Sequence, residues 1–205
     1  MEEFPKPIRE LSKEEVQDAQ IGLLEWELEE RDAQHGIDPL TGARRREVLV
    51  HELDRLIPLI RGEVMEHRIG NEAPQTVSLI FIDLDKFKQV NDTQGHPAGD
   101  RVLRKVSALL QGGLREKDML VRYGGDEFAA LLPNTDEQGA VTVAEKLRAA
   151  LHDDQELKNF GVTDSLGVCS SGVSTAEDSE TFIKHADEAA YMAKRAGGNR
   201  VEVYA

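Results

Sequence analysis

Arg122-Tyr123-Gly124-Gly125-Asp126-Glu127-Phe128 stands between two apolar runs, Met119-Leu120-Val121 and Phe128-Ala129-Ala130-Leu131-Leu132. Two glycines between strand-like runs predict a tight hairpin, with Asp126 and Glu127 where its second strand begins. Because Gly124 and Gly125 carry no side chain, a phosphate or another backbone can come close. Adjacent carboxylates on a rigid turn suit a divalent cation holding a nucleotide triphosphate. In isolation, the competing reading of these five residues is an acidic hairpin in solvent.

Upstream, Val77 to Leu84 is rich in Ile and Val and bounded by turn signals, which predicts a buried strand. It ends in Asp83-Leu84-Asp85, and alternation places both acids on one face. Two carboxylates at a strand end fit a helix N-cap or a metal site better than a core, since burying them unpaired is expensive. If this strand lies beside the hairpin, Asp83 and Asp126 converge on one cation. The amides opening the next helix, after Asp85, would then face phosphate oxygens.

Other elements follow by period and punctuation. A first helix starts at a capping box, Ser12 with Glu15, stapled by Leu11 against Val16, and runs to about His35 before Gly36 and Pro39. At 1.5 Å per residue it would be roughly 35 Å long. Val16, Ala19, Leu23 and Trp26 repeat as a coiled-coil seam does, and Ile21, Leu24 and Leu28 widen the face. That face either packs on its own domain or pairs with a second copy. A second helix is expected from about Arg44 to Glu66, with Leu49, Leu53, Leu56, Ile60 and Val64 buried and Pro58 kinking or breaking it. Gly70 to Gln75 reads as a loop. Helices are expected over Pro97–Leu110, Asp136–Leu151 and Ala176–Ala196, and strands at Leu166–Cys169 and Val201–Tyr204. The order strand, helix, hairpin, helix, strand, with helices on one layer, gives an α+β sandwich. It is a ferredoxin-like, palm-type, antiparallel-rich sheet surrounded by helices and preceded by the long N-terminal helix. Residues 1–36 are expected to form a helix for signalling or dimerisation, and 37–205 the domain.

Composition bounds the function. A chain of 205 residues suits one domain with an appendage, and 40% hydrophobic with 31% charged residues fits a soluble protein. No apolar run approaches a membrane span, and the acidic N-terminus is unlike a signal peptide. The single cysteine, Cys169, lies in an apolar segment and reads as a small core residue in a reducing cytoplasm. A formal charge of −14 argues against a nucleic-acid polymer, although small phosphorylated ligands need only a few local bases and a cation.

Four motifs in order resemble the GGDEF domain family, the diguanylate cyclases. They are Gly124–Phe128, the ungapped run Asp83–Lys88, Asn91-Asp92, Gly95-His96, Gly99-Asp100, the opening Asp38-Pro39-Leu40-Thr41-Gly42, and the closing Ala186-Asp187, Ala189, Tyr191, Ala193-Lys194, Gly197. The resemblance covers about residues 36–205. It implies condensation of two GTP into cyclic di-GMP with release of pyrophosphate, by a homodimer that brings two half-sites face to face. The metal, Mg²⁺ with Mn²⁺ as an alternative, would be held by Asp83, the Leu84 carbonyl and Asp126, with Glu127 a further ligand or the proton acceptor. Guanine would be read by Asn91 and Asp100, because a carboxylate can accept from guanine N1–H and N2 where adenine has no such donor pair. Without the family pattern, Asp100 would read as the N-cap of an apolar helix. Phe87, Lys88, His96, Gly124, Gly125 and Lys194 complete the implied substrate site, the two lysines for the β- and γ-phosphates. Arg115-Glu116-Lys117-Asp118 stands at the register of the family's RxxD product-inhibition site, with Arg115 and Asp118 as the ligands. There are two departures. The opening motif usually continues Asn-Arg where this chain has Arg45-Arg46, and a common arginine is replaced by Gly198, so that one phosphate contact is either missing or supplied by Arg195 or Arg200. The alternative function is a catalytically silent receptor for cyclic di-GMP working through the RxxD site.

Overall fold

The computed structural model describes residues 36–62, 75–171 and 178–204. The expected N-terminal helix, the tail of the second helix past 62, the loop up to 74 and the start of the last helix at 176–177 lie outside the described residues. The chain divides into two units, Met1–Ile37 and Asp38–Ala205, and the elements below belong to the second.

The central strand, β2, runs Val77–Asp85 and reads Val-Ser-Leu-Ile-Phe-Ile-Asp-Leu-Asp, nearly continuous apolar sequence of the kind that is covered on both faces. It pairs antiparallel with β4 (Glu127–Pro133) on one side and β5 (Thr163–Ser170) on the other. Strand β3 (Met119–Arg122) pairs antiparallel with β4, so the expected hairpin is present. Two short strands, β1 (Arg44–Arg45) and β6 (Arg200–Val203), join in parallel at the edges, giving the order β1-β3-β4-β2-β5-β6. The four inner strands, with helices after β2 and β4, form the ferredoxin-like βαββαβ arrangement. The fold is the expected α+β class.

The helices form two layers, not one. Ile80, Ile82 and Leu84 meet α2 (Phe87–Gln94), α3 (His96–Gly113), α4 (Glu137–Asp153) and α5 (Gln155–Phe160) in one core. Val77, Leu79 and Phe81 meet α1 (Arg46–Ile60) and α6 (Ser179–Arg195) in the other. A strand with two apolar faces needs cover on both, and each fully buried Leu, Ile or Phe contributes about 1.5–3 kcal/mol. Helix α6 comes unusually close. A Cβ built at Gly167 of β5 would lie 2.1 Å from the Ala186 carbonyl oxygen and 2.2 Å from the Ala190 amide, so the helix rides on bare strand backbone. Its buried Ala186, Ala189, Ala190 and Ala193 suit that approach.

Local chemistry sets the boundaries. Asp136 caps α4 by accepting from the Gly139 amide at 2.8 Å, and Asp178 caps α6 by accepting from Thr181 at 2.7 Å. Pro58 lies within α1, which ends at Ile60, so it marks the end of the helix rather than a mid-helix kink. Cys169 is buried in the second core. Among the described residues no helix is long and apolar enough to cross a membrane.

Candidate active site

The hairpin is wider than two glycines alone would make it. Arg122 pairs with Phe128, and the Tyr123 and Gly124 amides both donate to the Glu127 carbonyl, at 2.9 and 3.2 Å. The connection is therefore Tyr123–Asp126, and neither glycine is among the described residues at positive φ. A Cβ at Gly124 would meet Glu127 Oε2, the tip of a side chain lying over the turn, at 2.3 Å, whereas Gly125 faces open space.

Register brings the acids together. Asp83 lies opposite Glu127 across the β2–β4 ladder, and the Leu84 amide donates to the Asp126 carbonyl at 3.3 Å. Asp83 and Asp85 share the face of Val77, Leu79 and Phe81, but their surroundings differ. Asp85 is buried and accepts from Thr163 Oγ1 and Ser165 Oγ, both at 2.8 Å, and from the Asn199 amide at 3.1 Å. It ties β2 to β5 and to the turn before β6, with its acceptor capacity largely used. A Cβ at Gly198 would stand 2.6 Å from Asp85 Oδ2, which accounts for the bare residue where a longer side chain is usual.

Asp83 is half-buried and gripped by Lys194 Nζ at 2.7 Å to Oδ1 and 2.8 Å to Oδ2. Burial pushes the Asp83 pKa up and outweighs the pull of Lys194, with Asp126 and Asp85 adding to the rise. Glu127 is raised likewise, by burial first, then by Asp83, Asp187 and Asp126. For Lys194 burial acts downward, but Asp83, Asp85 and Asp126 together leave it raised. Asp187, on α6, is thus a neighbour of the acid group that sequence reading noted only within a motif. Among the described residues no three acidic, His or Cys side chains are already gathered as a metal cluster. The donors nevertheless suit a hard divalent cation. They are carboxylate oxygens from two adjacent strands, and an ammonium sits on Asp83 where such a cation would stand.

A cleft of about 350 Å³ adjoins the hairpin. Helices α2 and α3 supply Phe87, Lys88, Asn91, His96, Asp100 and Leu103, and the hairpin supplies Arg122, Gly125 and Asp126. The two helices are hinged at Gly95, at φ 82°, and held close at Gly99, where a Cβ would fall 2.0 Å from Asn91 Oδ1. Asp100 lies inside α3, whose N-cap is Gly95, so it is not the N-cap that its position before an apolar run predicts.

Arg122, a cleft wall that the sequence did not single out, bonds both Asp38 oxygens at 3.1 and 3.2 Å and donates to the Gly125 carbonyl at 2.8 Å. Asp38 also accepts from Thr41 N at 2.9 Å and Thr41 Oγ1 at 2.6 Å. Burial works against the Asp38 charge, but Thr41 and Arg122 hold its pKa below the usual value. The opening motif is a clamp on the hairpin. A guanidinium heading the turn and an aspartate far upstream were legible singly, but their pairing needed the β1–β3 contact.

Not every expected residue joins the cleft. Arg115 is exposed at the turn before β3, where its amide donates to Asp118 Oδ2 at 2.8 Å, and this pair does not line the cleft. Lys194 is on Asp83, while Lys88 is on the cleft wall. Arg195 lies over the Tyr191 ring at 5.9 Å and Arg200 pairs with Glu202 at 2.8 Å.

The family model described as diguanylate cyclase, GGDEF domain, matches residues 35–200. Diguanylate cyclase DosC of Escherichia coli (strain K12) is 37% identical over 191 residues, covering 91% of this chain and 39% of that protein. Response regulator PleD of Caulobacter vibrioides is 36% identical over 171 residues, covering 80% of this chain and 35% of that protein. The chain thus spans about two fifths of the length of these curated relatives. The crystal structure of the coiled coil and GGDEF domain of DgcB from Caulobacter crescentus in complex with c-di-GMP matches with TM-score 0.70 at 28% identity, covering 92% of this chain and 95% of that one. Fold, hairpin and sequence agree over most of the chain, which belongs to the GGDEF domain family.

Proposed function

We propose that this chain condenses two GTP into cyclic di-GMP and two pyrophosphates, as a homodimer of facing half-sites. The observation that carries this reading is the continuity of the cleft with the acids: a pocket with Asn91 and Asp100 on its helices ends at Asp126, one strand from Asp83. Asp100 accepts from guanine N1–H and N2, and Asn91 bonds the O6 edge. ATP would leave Asp100 unpaired, and such mismatches discriminate strongly. Phe87 and Leu103 give the base an apolar wall, His96 borders it, and Lys88 reaches phosphate oxygens. The bare Gly124-Gly125 turn lets the triphosphate approach the backbone.

Asp83, Asp126 and the Leu84 carbonyl would hold a divalent metal, Mg²⁺ or Mn²⁺, with Glu127 beside them. When bound, it neutralises charge building on the transferring phosphoryl group. The 3′-oxygen of one GTP attacks the α-phosphorus of the other, the bond to the β-phosphate oxygen breaks, and pyrophosphate departs. Glu127, whose proton affinity is raised by burial and three acids, is suited to take the 3′-hydroxyl proton. Two such transfers close the ring. The product in turn binds at Arg115 and Asp118, where an exposed guanidinium can grip phosphate or guanine edges in a bidentate manner.

The test is chromatography of products after incubating the purified chain with GTP and Mg²⁺. Cyclic di-GMP and twice as much pyrophosphate are expected. No dinucleotide at any protein concentration would overturn the cyclase and favour a silent receptor.

A further inference from the structure

Lys194 occupies a position that a phosphate-binding lysine does not need. Its ammonium bonds both oxygens of Asp83, at 2.7 and 2.8 Å, and three further acids act on the same spot: Asp126 and Asp85 on the lysine, and Glu127 through Asp83. Lys194 comes from the last turn of α6, where the helix end favours a cation, and its side chain is 44% exposed, so solvent and a ligand can reach it. An exposed surface pair would have little effect. This one makes two hydrogen bonds to a half-buried acid within a cluster of like charge, so removing the ammonium leaves Asp83 and its neighbours uncompensated.

We propose that Lys194 is an internal counter-ion that holds the metal's place on Asp83 in the nucleotide-free protein and passes to the triphosphate on loading, so that metal and nucleotide bind as a pair. A divalent ion arriving alone must break both bonds and leave an ammonium beside it. A triphosphate supplies oxygens for that ammonium and releases Asp83 at the same moment. Each ligand therefore raises the affinity of the other, and the coupling is reciprocal. The inference rests on Asp83 being a metal ligand, as proposed above.

The experiment measures Mn²⁺ binding by electron paramagnetic resonance of the free ion, with and without a GTP analogue that cannot be cleaved between the α- and β-phosphates. Lys194→Met and Lys194→Gln in the nucleotide-free chain are expected to bind Mn²⁺ about tenfold tighter than wild type. The tightening that the analogue causes should shrink by a similar factor, and Lys194→Arg, which keeps the pair, should stay near wild type. Mn²⁺ binding no tighter in both Met and Gln variants, each with the wild-type circular dichroism spectrum, overturns the counter-ion. Unchanged Mn²⁺ binding in Asp83→Asn overturns the metal site beneath it, so the two failures are told apart.

Discussion

One lysine against several carboxylates sets the chemistry of the open end of this sheet. Asp83 on β2 is brought near Asp126, the last residue of the turn before β4, because β2 and β4 pair with Asp83 opposite Glu127. Asp83→Asn and Asp126→Asn are each expected to lower GTP turnover by about 10³-fold, read as pyrophosphate release, with the thermal midpoint unchanged or raised, because each removes a charge from a repulsive group. Asp100→Ser is expected to raise KM for GTP by roughly 10- to 100-fold and to narrow the preference over ATP in a competition assay. Asp83 was legible from strand alternation and Asp126 from the Gly-Gly turn, whereas Asp100 was legible only through its place in the family motif. Arg122 was not legible as a cleft wall, because its partner Asp38 lies in another motif. Nor was the division of labour between Asp83 and Asp85, which depends on Thr163, Ser165 and Asn199, supplied by strands that meet only in the fold.

At the scale of elements, β5 carries a residue that its pattern does not accommodate. Val162, Leu166 and Val168 face the first core, and Asp164 stands between them, fully buried with no hydrogen-bond partner among the described residues for either carboxylate oxygen. Burial and the nearby Asp85 charge push its pKa up to about 7, against a weaker downward pull from Arg148 and its own amide. The folded state therefore keeps a proton that the unfolded chain releases near 3.8, so stability is greatest below that value and falls as pH rises through about 7. The loss is about 4 kcal/mol across that window. Asp164→Val, which restores the apolar row, is expected to remove this slope and raise stability at pH 8 by about 2–4 kcal/mol in urea unfolding. A second test concerns the α2–α3 contact. Gly99→Ala would place a methyl group 2.0 Å from Asn91 Oδ1 and is expected to destabilise by about 1–3 kcal/mol while raising KM for GTP. Element existence was readable from periodicity and caps such as Asp136. The hairpin's true length was not, because register rather than the Gly-Gly pair set it.

For the molecule as a whole, the palm-type core followed from the order of elements, but the second helix layer did not. Helices α1 and α6 come from opposite ends of the domain, and only the two-sided burial of β2 requires them to share a face. If the proposed cyclase works by two facing half-sites, specific activity should rise with protein concentration until dimerisation saturates, measured by pyrophosphate release against light-scattering mass. Arg115→Ala is expected to weaken inhibition by added cyclic di-GMP about tenfold without lowering the initial rate, since the arginine lies outside the cleft. Beneath these expectations is one spatial claim: Asp83 near the end of β2 and Asp126 in the turn before β4 grip the same ion. Anomalous diffraction from crystals grown with Mn²⁺ and the uncleavable GTP analogue tests it most directly. A single peak within coordination distance of both Asp83 and Asp126 is the predicted result. A peak bound to only one of them, or none beside a well-ordered nucleotide, would contradict the account.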